Sequence, residues 1–280
     1  MQQFLTAIQF FAITFVFVAT TTASAAQVYL ESMTSPEVRD AVKAGTTTII
    51  IPIGGTEQNG PHMTLGKHNV RVQALAGRIA AELKNTLVAP TLAYVPEGSI
   101  SPPAAHMKFA GTISISDETF KALLDSAARS FAQHGFTDIV FIGDHGSYQS
   151  QLAAVADGLN KRWNGTSATR TGAQLRAHFI ADYYRTSVAP YTKILRDNGL
   201  TDAQIGLLAG TADTSLMLAV DPEQVRVNRI NDAAEAKHGG SANGVSGDPR
   251  AATAALGQLG VDAMVAASVS EIRKALAARR

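Results

Sequence analysis

Cysteine is absent from all 280 residues. Disulfides, zinc–thiolate sites, iron–sulfur clusters and a thiol nucleophile are therefore excluded, and any metal must be held by His, Asp, Glu or Asn. Dense basic runs are missing too. The formal net charge is only +1, which leaves no electrostatic case for nucleic-acid binding. No internal repeat is visible, and tryptophan occurs once, at Trp163. Long apolar runs are confined to the N-terminus, so no other segment reads as a membrane span. Apolar material is otherwise plentiful: hydrophobic residues make up 46% and charged residues 17%, a globular composition with enough for a core in one domain, at most two.

The stretch from Phe4 to Val18 is apolar except for Thr6, Gln9 and Thr14. It leads through Thr20-Thr21-Thr22 into the small-x-small pattern Ala23-Ser24-Ala25. Residues 1–25 read as a secretory signal peptide, leaving 26–280 as a single domain, periplasmic or secreted, with no stable membrane anchor after cleavage. The leader lacks Lys and Arg, so an uncleaved anchor is the alternative, although the run is short for a span of about 20 residues.

The remaining chain alternates two patterns. Thr47 to Ile53 is a β-branched run bounded by Gly45 and Gly54 and reads as a buried strand. Val70 to Leu83 has a helical pattern. Ser116 is placed as a helix N-cap before Asp117 and Glu118, followed by apolar residues at helical spacing from Phe120 to Phe131. A second buried strand, Thr137 to Ile142, ends at Gly143-Asp144-His145-Gly146. A helix follows from Tyr148 to Trp163, a third strand is expected within Leu175 to Tyr183, and residues 250–278 form a closing helix or pair. Gly239 to Gly244 reads as a loop. These features predict an α/β three-layer sandwich with a mainly parallel central sheet covered by helices on both faces. In such sheets, ligands bind beyond the carboxyl ends of the strands.

Polar clusters fall at those ends. Glu57 to Asn69 packs one carboxylate, two imidazoles (His62 and His68) and three amides (Gln58, Asn59 and Asn69) between turn-forming glycines. Such oxygen and nitrogen donors suit hard or borderline metals, but a His-bearing loop also serves as an ordinary solvated turn. Asp144-His145 lies between glycines at a strand end, where a ligand can approach closely. Asp213 precedes an apolar helical pattern, and on spacing alone it reads as a helix cap.

The segments together resemble the creatininase (creatinine amidohydrolase) family. The resemblance rests on Pro52 to Thr64 with His68, on His106 to Thr112, on His134-Gly135-Phe136 through Gly146, and on Leu208 to Ser215, in family order. It implies an α/β fold, a metal centre that is often binuclear, hydrolysis of non-peptide or cyclic amide C–N bonds, and a homo-oligomer. It also exposes departures. Asn59 replaces a His ligand, His68 replaces an Asp able to bridge two metals, and Asp213 stands for a Glu. Leu208 stands where the family has a His that can donate a proton, and Asp144 is a new carboxylate. What the resemblance leaves is a site for one ion rather than two, with Glu57, His68, His145 and Asp213 as ligands. Zn²⁺ is the expected metal, with Mn²⁺ or Fe²⁺ also compatible. Asp144, or Glu57 if it is not a ligand, is the expected proton acceptor from water. Asp144 is alternatively a replacement ligand. Asn59, His62, His106 and Tyr148 are expected to orient ligands or line the substrate pocket, with plain packing as the alternative for His62. The acid for the leaving nitrogen is unassigned; His106 and His178 are available. Two other functions fit the same scaffold: a hydrolase of lactones or peptide ends, and a non-catalytic periplasmic binder of a metal or small molecule.

Overall fold

Four short segments, three of them with β-branched residues, pair into one sheet. The computed structural model describes residues 27–164, 174–234 and 243–278; the stretch read as a signal peptide and most of the expected Gly239–Gly244 loop lie outside these. The strands are β1 (Thr48–Ile53), β2 (Thr86–Val88), β3 (Asp138–Gly143) and β4 (Arg176–Phe179). All pairings are parallel, in the order β2-β1-β3-β4. The helices are α1 (Ser35–Lys43), α2 (Lys67–Leu83), α3 (Asp117–Gln133), α4 (Gln149–Trp163), α5 (Ala181–Val188), α6 (Pro190–Asp197), α7 (Asp202–Ile205), α8 (Thr211–Val220), α9 (Ile230–Ala234) and α10 (Ala254–Ala277). No helix among the described residues is long and apolar enough to cross a membrane.

The period of two along a strand creates two cores. Ile49, Ile51 and Ile53 of β1 pack with Ile139 and Phe141 of β3 beneath Phe120, Leu124, Leu152 and Leu159 of α3 and α4. Ile50, Val140 and Ile142 face the other way, against Val72, Leu75 and Ile79 of α2 and Val261, Met264 and Val265 of α10. Every residue of β1 and β3 is buried, which is why their sequences are continuously apolar rather than alternating. The α/β sandwich expected from the sequence is the fold observed.

Ser116 caps α3, accepting the N–H of Thr119 at 3.2 Å. The expected third strand is shorter than its apolar run. It ends at Phe179 because β4 pairs only with Asp138–Phe141. The chain then turns into α5, where Glu271 of α10 accepts the N–H of Asp182 at 2.8 Å. Strand β2 has too few residues for a visible period and exists through its pairing with Thr48–Ile50. The closing segment is one helix, α10, preceded by a short turn of 3₁₀ helix.

Candidate metal centre

The loops leaving the carboxyl ends of β1, β2 and β3 converge at one edge of the sheet. Glu57 follows β1, Glu97 and His106 follow β2, and Asp144 and His145 follow β3. The first loop is tied down by Asn69, whose Oδ1 accepts the Gly55 N–H (2.9 Å) and whose Nδ2 donates to Thr56 Oγ1 (3.2 Å). A Cβ on Gly55 would lie 2.6 Å from Glu97 Oε1; glycine there lets the Glu97 carboxyl approach the β1 loop.

Donor atoms of Glu57, Glu97, His106 and His145 all lie within 4.8 Å of one another. Glu57 Oε2 is 2.9 Å from His106 Nδ1 and 3.5 Å from His145 Nε2. Glu97 Oε2 is 3.4 Å from His145 Nδ1. Both carboxyl side chains are wholly buried, whereas His106 and His145 keep 21% and 16% exposure, so the cluster opens on its imidazole side. Despite the proximity, Glu57 Oε2 and both Glu97 oxygens have no aligned hydrogen-bond partner. Buried oxygens are rarely left in that state. A cation facing two carboxylates and two imidazoles would satisfy all three, so the donor set fits a divalent metal.

The protonation states suit that fit. Burial, with the neighbouring His68, pushes the His145 imidazole down to about 3, so it is neutral near pH 7 and has a lone pair to offer. Burial and the adjacent Glu57 charge push the Glu97 carboxyl up to about 9. Burial alone would raise Glu57 as well, but His106, His68 and Lys67 around it hold it well below the usual carboxylate range.

A second group lies beside the first, built on the opening turns of α2. Lys67, His68 and Arg71 are all buried. Lys67 Nζ donates to Asp213 Oδ2 at 3.0 Å and lies 3.9 Å from Glu57 Oε1. Arg71 donates to both oxygens of Asp144 (2.6 to 3.1 Å) and to Asp213 Oδ1 (2.9 Å). Tyr183 donates to Asp144 Oδ2 at 2.7 Å. Burial would raise both aspartates, yet Arg71 and His68 hold Asp144 below its ordinary range, and Lys67, Arg71 and His68 do the same for Asp213.

These contacts place the ligands expected from the sequence in two groups. His68 has Nδ1 2.6 Å from Asp144 Oδ1 and Nε2 2.9 Å from Glu57 Oε1, so both its nitrogens face carboxylates. Asp213 is held by Lys67, Arg71 and the N–H of Ala209 (3.0 Å). Asp144 is bonded through both oxygens and has no free lone pair directed at the cluster. Glu57 and His145 lie in the cluster, and His106, expected only to assist, lies there too. Glu97 was missed: Pro96-Glu97-Gly98 reads as an ordinary turn, and the strand that precedes it left no pattern. Asn59 clamps its own loop, its amide donating to the carbonyls of Glu57 (2.9 Å) and Thr64 (3.1 Å). His62 is buried with Nε2 2.9 Å from Thr214 Oγ1. Tyr148 is buried; its hydroxyl accepts the His145 N–H at 3.0 Å and donates to the Gly54 carbonyl at 2.5 Å. It therefore fixes the backbone beneath the cluster and is not among the residues lining the two cavities beside it. His178 is remote, paired with Asp138 at the start of β3 (3.0 Å).

Two small cavities flank the centre. One, of about 190 Å³, is lined by Lys67, Arg71, His145, Tyr184, Leu207 and Leu208 among others. The second, of about 220 Å³, is lined by Gln58, His106, Phe109 and Leu208 with Val245 and Ser246. Leu208 belongs to both walls.

The creatininase family model, described as creatinine amidohydrolase, matches residues 31–272. A mycofactocin precursor peptide peptidase of Mycobacterium tuberculosis (strain ATCC 25618 / H37Rv) is 30% identical over 243 residues, covering 78% of this chain and 81% of that protein. Creatinine amidohydrolase of Pseudomonas putida is 27% identical over 213 residues, covering 73% and 76%. A solved zinc–zinc type of a creatininase point mutant shares the fold, with TM-score 0.69, 23% identity and coverage of 89% of this chain and 98% of that one. With the family model spanning nearly all the described residues, the chain belongs to the creatininase family of hydrolases that act on amide bonds.

Proposed function

We propose that this chain is a metal-dependent hydrolase of an amide C–N bond in a small molecule, with Glu57, His106 and His145 holding one divalent ion and Glu97 moving the proton. The carrying observation is the convergence of these four side chains around three buried carboxylate oxygens that lack hydrogen bonds. Two imidazoles with a carboxylate favour Zn²⁺; Mn²⁺ and Fe²⁺ accept the same donors. A bound ion of this kind supplies Lewis acidity, polarising the amide carbonyl and acidifying water.

The chain's own residues supply the rest. Glu97, facing the same point as the ligands, accepts the proton of the attacking water. Burial and Glu57 push this carboxyl up to about 9 without the ion; the charge of a bound ion would lower it, freeing the carboxylate to take the water's proton and pass it to the leaving nitrogen. This gives the reaction its acid without a His at Leu208. The side chain of Leu208 instead presents an apolar wall to both cavities. Their size favours a compact substrate, such as a cyclic amide or the end of a peptide, over an extended chain. The named activities of the relatives, on creatinine and on a precursor peptide, bracket that range.

The test pairs metal content with turnover. Purified chain should hold zinc and free an amine from at least one cyclic amide or short peptide of a panel; turnover confined to lactones in the same panel would point to another bond. Glu97→Gln should keep the zinc and lose turnover by roughly 10²-fold or more, whereas His145→Ala should lose the zinc itself. A Glu97→Gln enzyme with full turnover, or a chain that binds no divalent ion, removes the proposal.

We also propose that residues 1–25 direct export and that the mature chain forms a homo-oligomer; the first is supported by the leader's composition, the second by the family resemblance. Cell fractionation with N-terminal mass analysis, and the solution mass of the mature chain, test them. An intact N-terminus in the cytoplasm, or a single-chain mass, counts against each in turn.

A further inference from the structure

The basic cluster on α2 has no helix-forming purpose. Cations are disfavoured at a helix N-terminus, where the backbone dipole is positive, and α2 has no acidic residue in its first turn to compensate. Lys67 and Arg71 are nevertheless almost completely buried there, with side-chain exposures of 1% and 3%. Burying two fixed charges is costly unless each is paired. Their partners, Asp213 and Asp144 with Glu57 nearby, are therefore the reason they are tolerated, and they border the donor cluster.

The pairing divides the centre in two. Asp144 and Asp213 have every oxygen engaged by Arg71, Lys67, His68 or Tyr183. On that side the carboxylates are already neutralised by charges the chain carries. The unsatisfied oxygens, Glu57 Oε2 and the two of Glu97, lie on the side of His106 and His145. Lys67 Nζ sits at the boundary, 3.0 Å from Asp213 and 3.9 Å from the inner oxygen of Glu57. A positive charge between two carboxylates, one on the loop after β1 and one on α8, next to a first cation site, is the position a second metal ion takes in a two-metal centre. The zinc–zinc creatininase shows that the fold accommodates a pair of ions.

Resting on the metal-centre reading above, we propose that the Lys67 ammonium is the resident second cation of this centre, so that the chain takes up one divalent ion and excludes another. Arg71 holds Asp144 and Asp213 Oδ1, which leaves Asp213 Oδ2 and Glu57 Oε1 as the oxygens that face Lys67. Unlike a metal, this cation cannot dissociate or be stripped by a chelator.

The experiment is a zinc count. The full chain, freed of metal with a chelator and desalted, is titrated with Zn²⁺ by calorimetry, and the zinc retained is measured by elemental analysis. The wild-type chain should saturate at one zinc. Lys67→Ala should saturate at two, since Asp213 Oδ2 and Glu57 Oε1 lose their cation. Lys67→Arg, which keeps the charge, should stay at one. If Lys67→Ala does not fold, as judged by circular dichroism, Lys67→Gln is read in the same way. Two zincs in the wild-type, or one in a folded neutral variant, overturns the inference while leaving the metal centre intact. No zinc in the wild-type overturns the metal-centre reading instead.

Discussion

Arg71 makes hydrogen bonds to two aspartates from separate parts of the chain, one after β3 and one on α8. Removing one partner of a buried ion pair leaves the others charged and unpaired, which costs about 3–5 kcal/mol. Arg71→Ala should therefore lower unfolding free energy by about that amount in urea titrations; a loss below about 1 kcal/mol would show that Asp144 and Asp213 find other partners. Glu97 carries the opposite kind of strain. Its pKa rises from an ordinary 4.5 to about 9, so the folded chain holds this proton more tightly than the unfolded chain. The resulting stability is complete below 4.5 and is lost as pH climbs through 9. Metal-free protein should melt at progressively lower temperature from pH 5 to pH 9. Glu97→Gln, uncharged throughout, should flatten that slope, as should saturating zinc. An unchanged slope in the variant would place the titrating group elsewhere. None of this was legible in Pro96-Glu97-Gly98, because what matters is the neighbour, Glu57, forty residues earlier in the chain.

At the scale of elements, α3 offers a control that lies away from the chemistry. Its Ser116 cap was legible from Ser followed by acidic residues, and the bond to Thr119 is formed. Ser116→Ala should cost about 1 kcal/mol in chemical denaturation and leave the zinc content unchanged; a loss of zinc would tie α3 to the centre. Strands β1 and β3 were equally legible, since burial on both faces imposes a continuous apolar run. Strand β2 and the start of α5 were not. The first has three residues and is defined by its neighbour, and the second is helped to start by a carboxylate from α10, almost ninety residues later.

For the whole molecule, the parallel sheet is the device that gathers the centre. Loops after three different strands meet at one edge, so the bound ion would cross-link segments otherwise joined only through the cores. An ion that binds the folded state alone stabilises it by mass action. Zinc at one hundred times its dissociation constant should add about 2.7 kcal/mol to unfolding free energy, and a chelator should reverse the gain. A chain whose melting point ignores both zinc and chelator would lack the centre.

Amino-acid order by itself determined the absence of thiol chemistry, the α/β architecture, the family and the naming of Glu57 and His145 as candidate ligands. Each of these is written in local composition, in apolar period or in a contiguous motif. Only the tertiary structure decided the rest: that Asp213 and Asp144 answer to Lys67 and Arg71, that both nitrogens of His68 face carboxylates, and that Glu97 and His106 complete the donor set. Whether a carboxylate or imidazole has a free lone pair depends on which charges are buried within about 3 Å of it. That distance is set by how helices pack on the sheet and not by spacing along the chain.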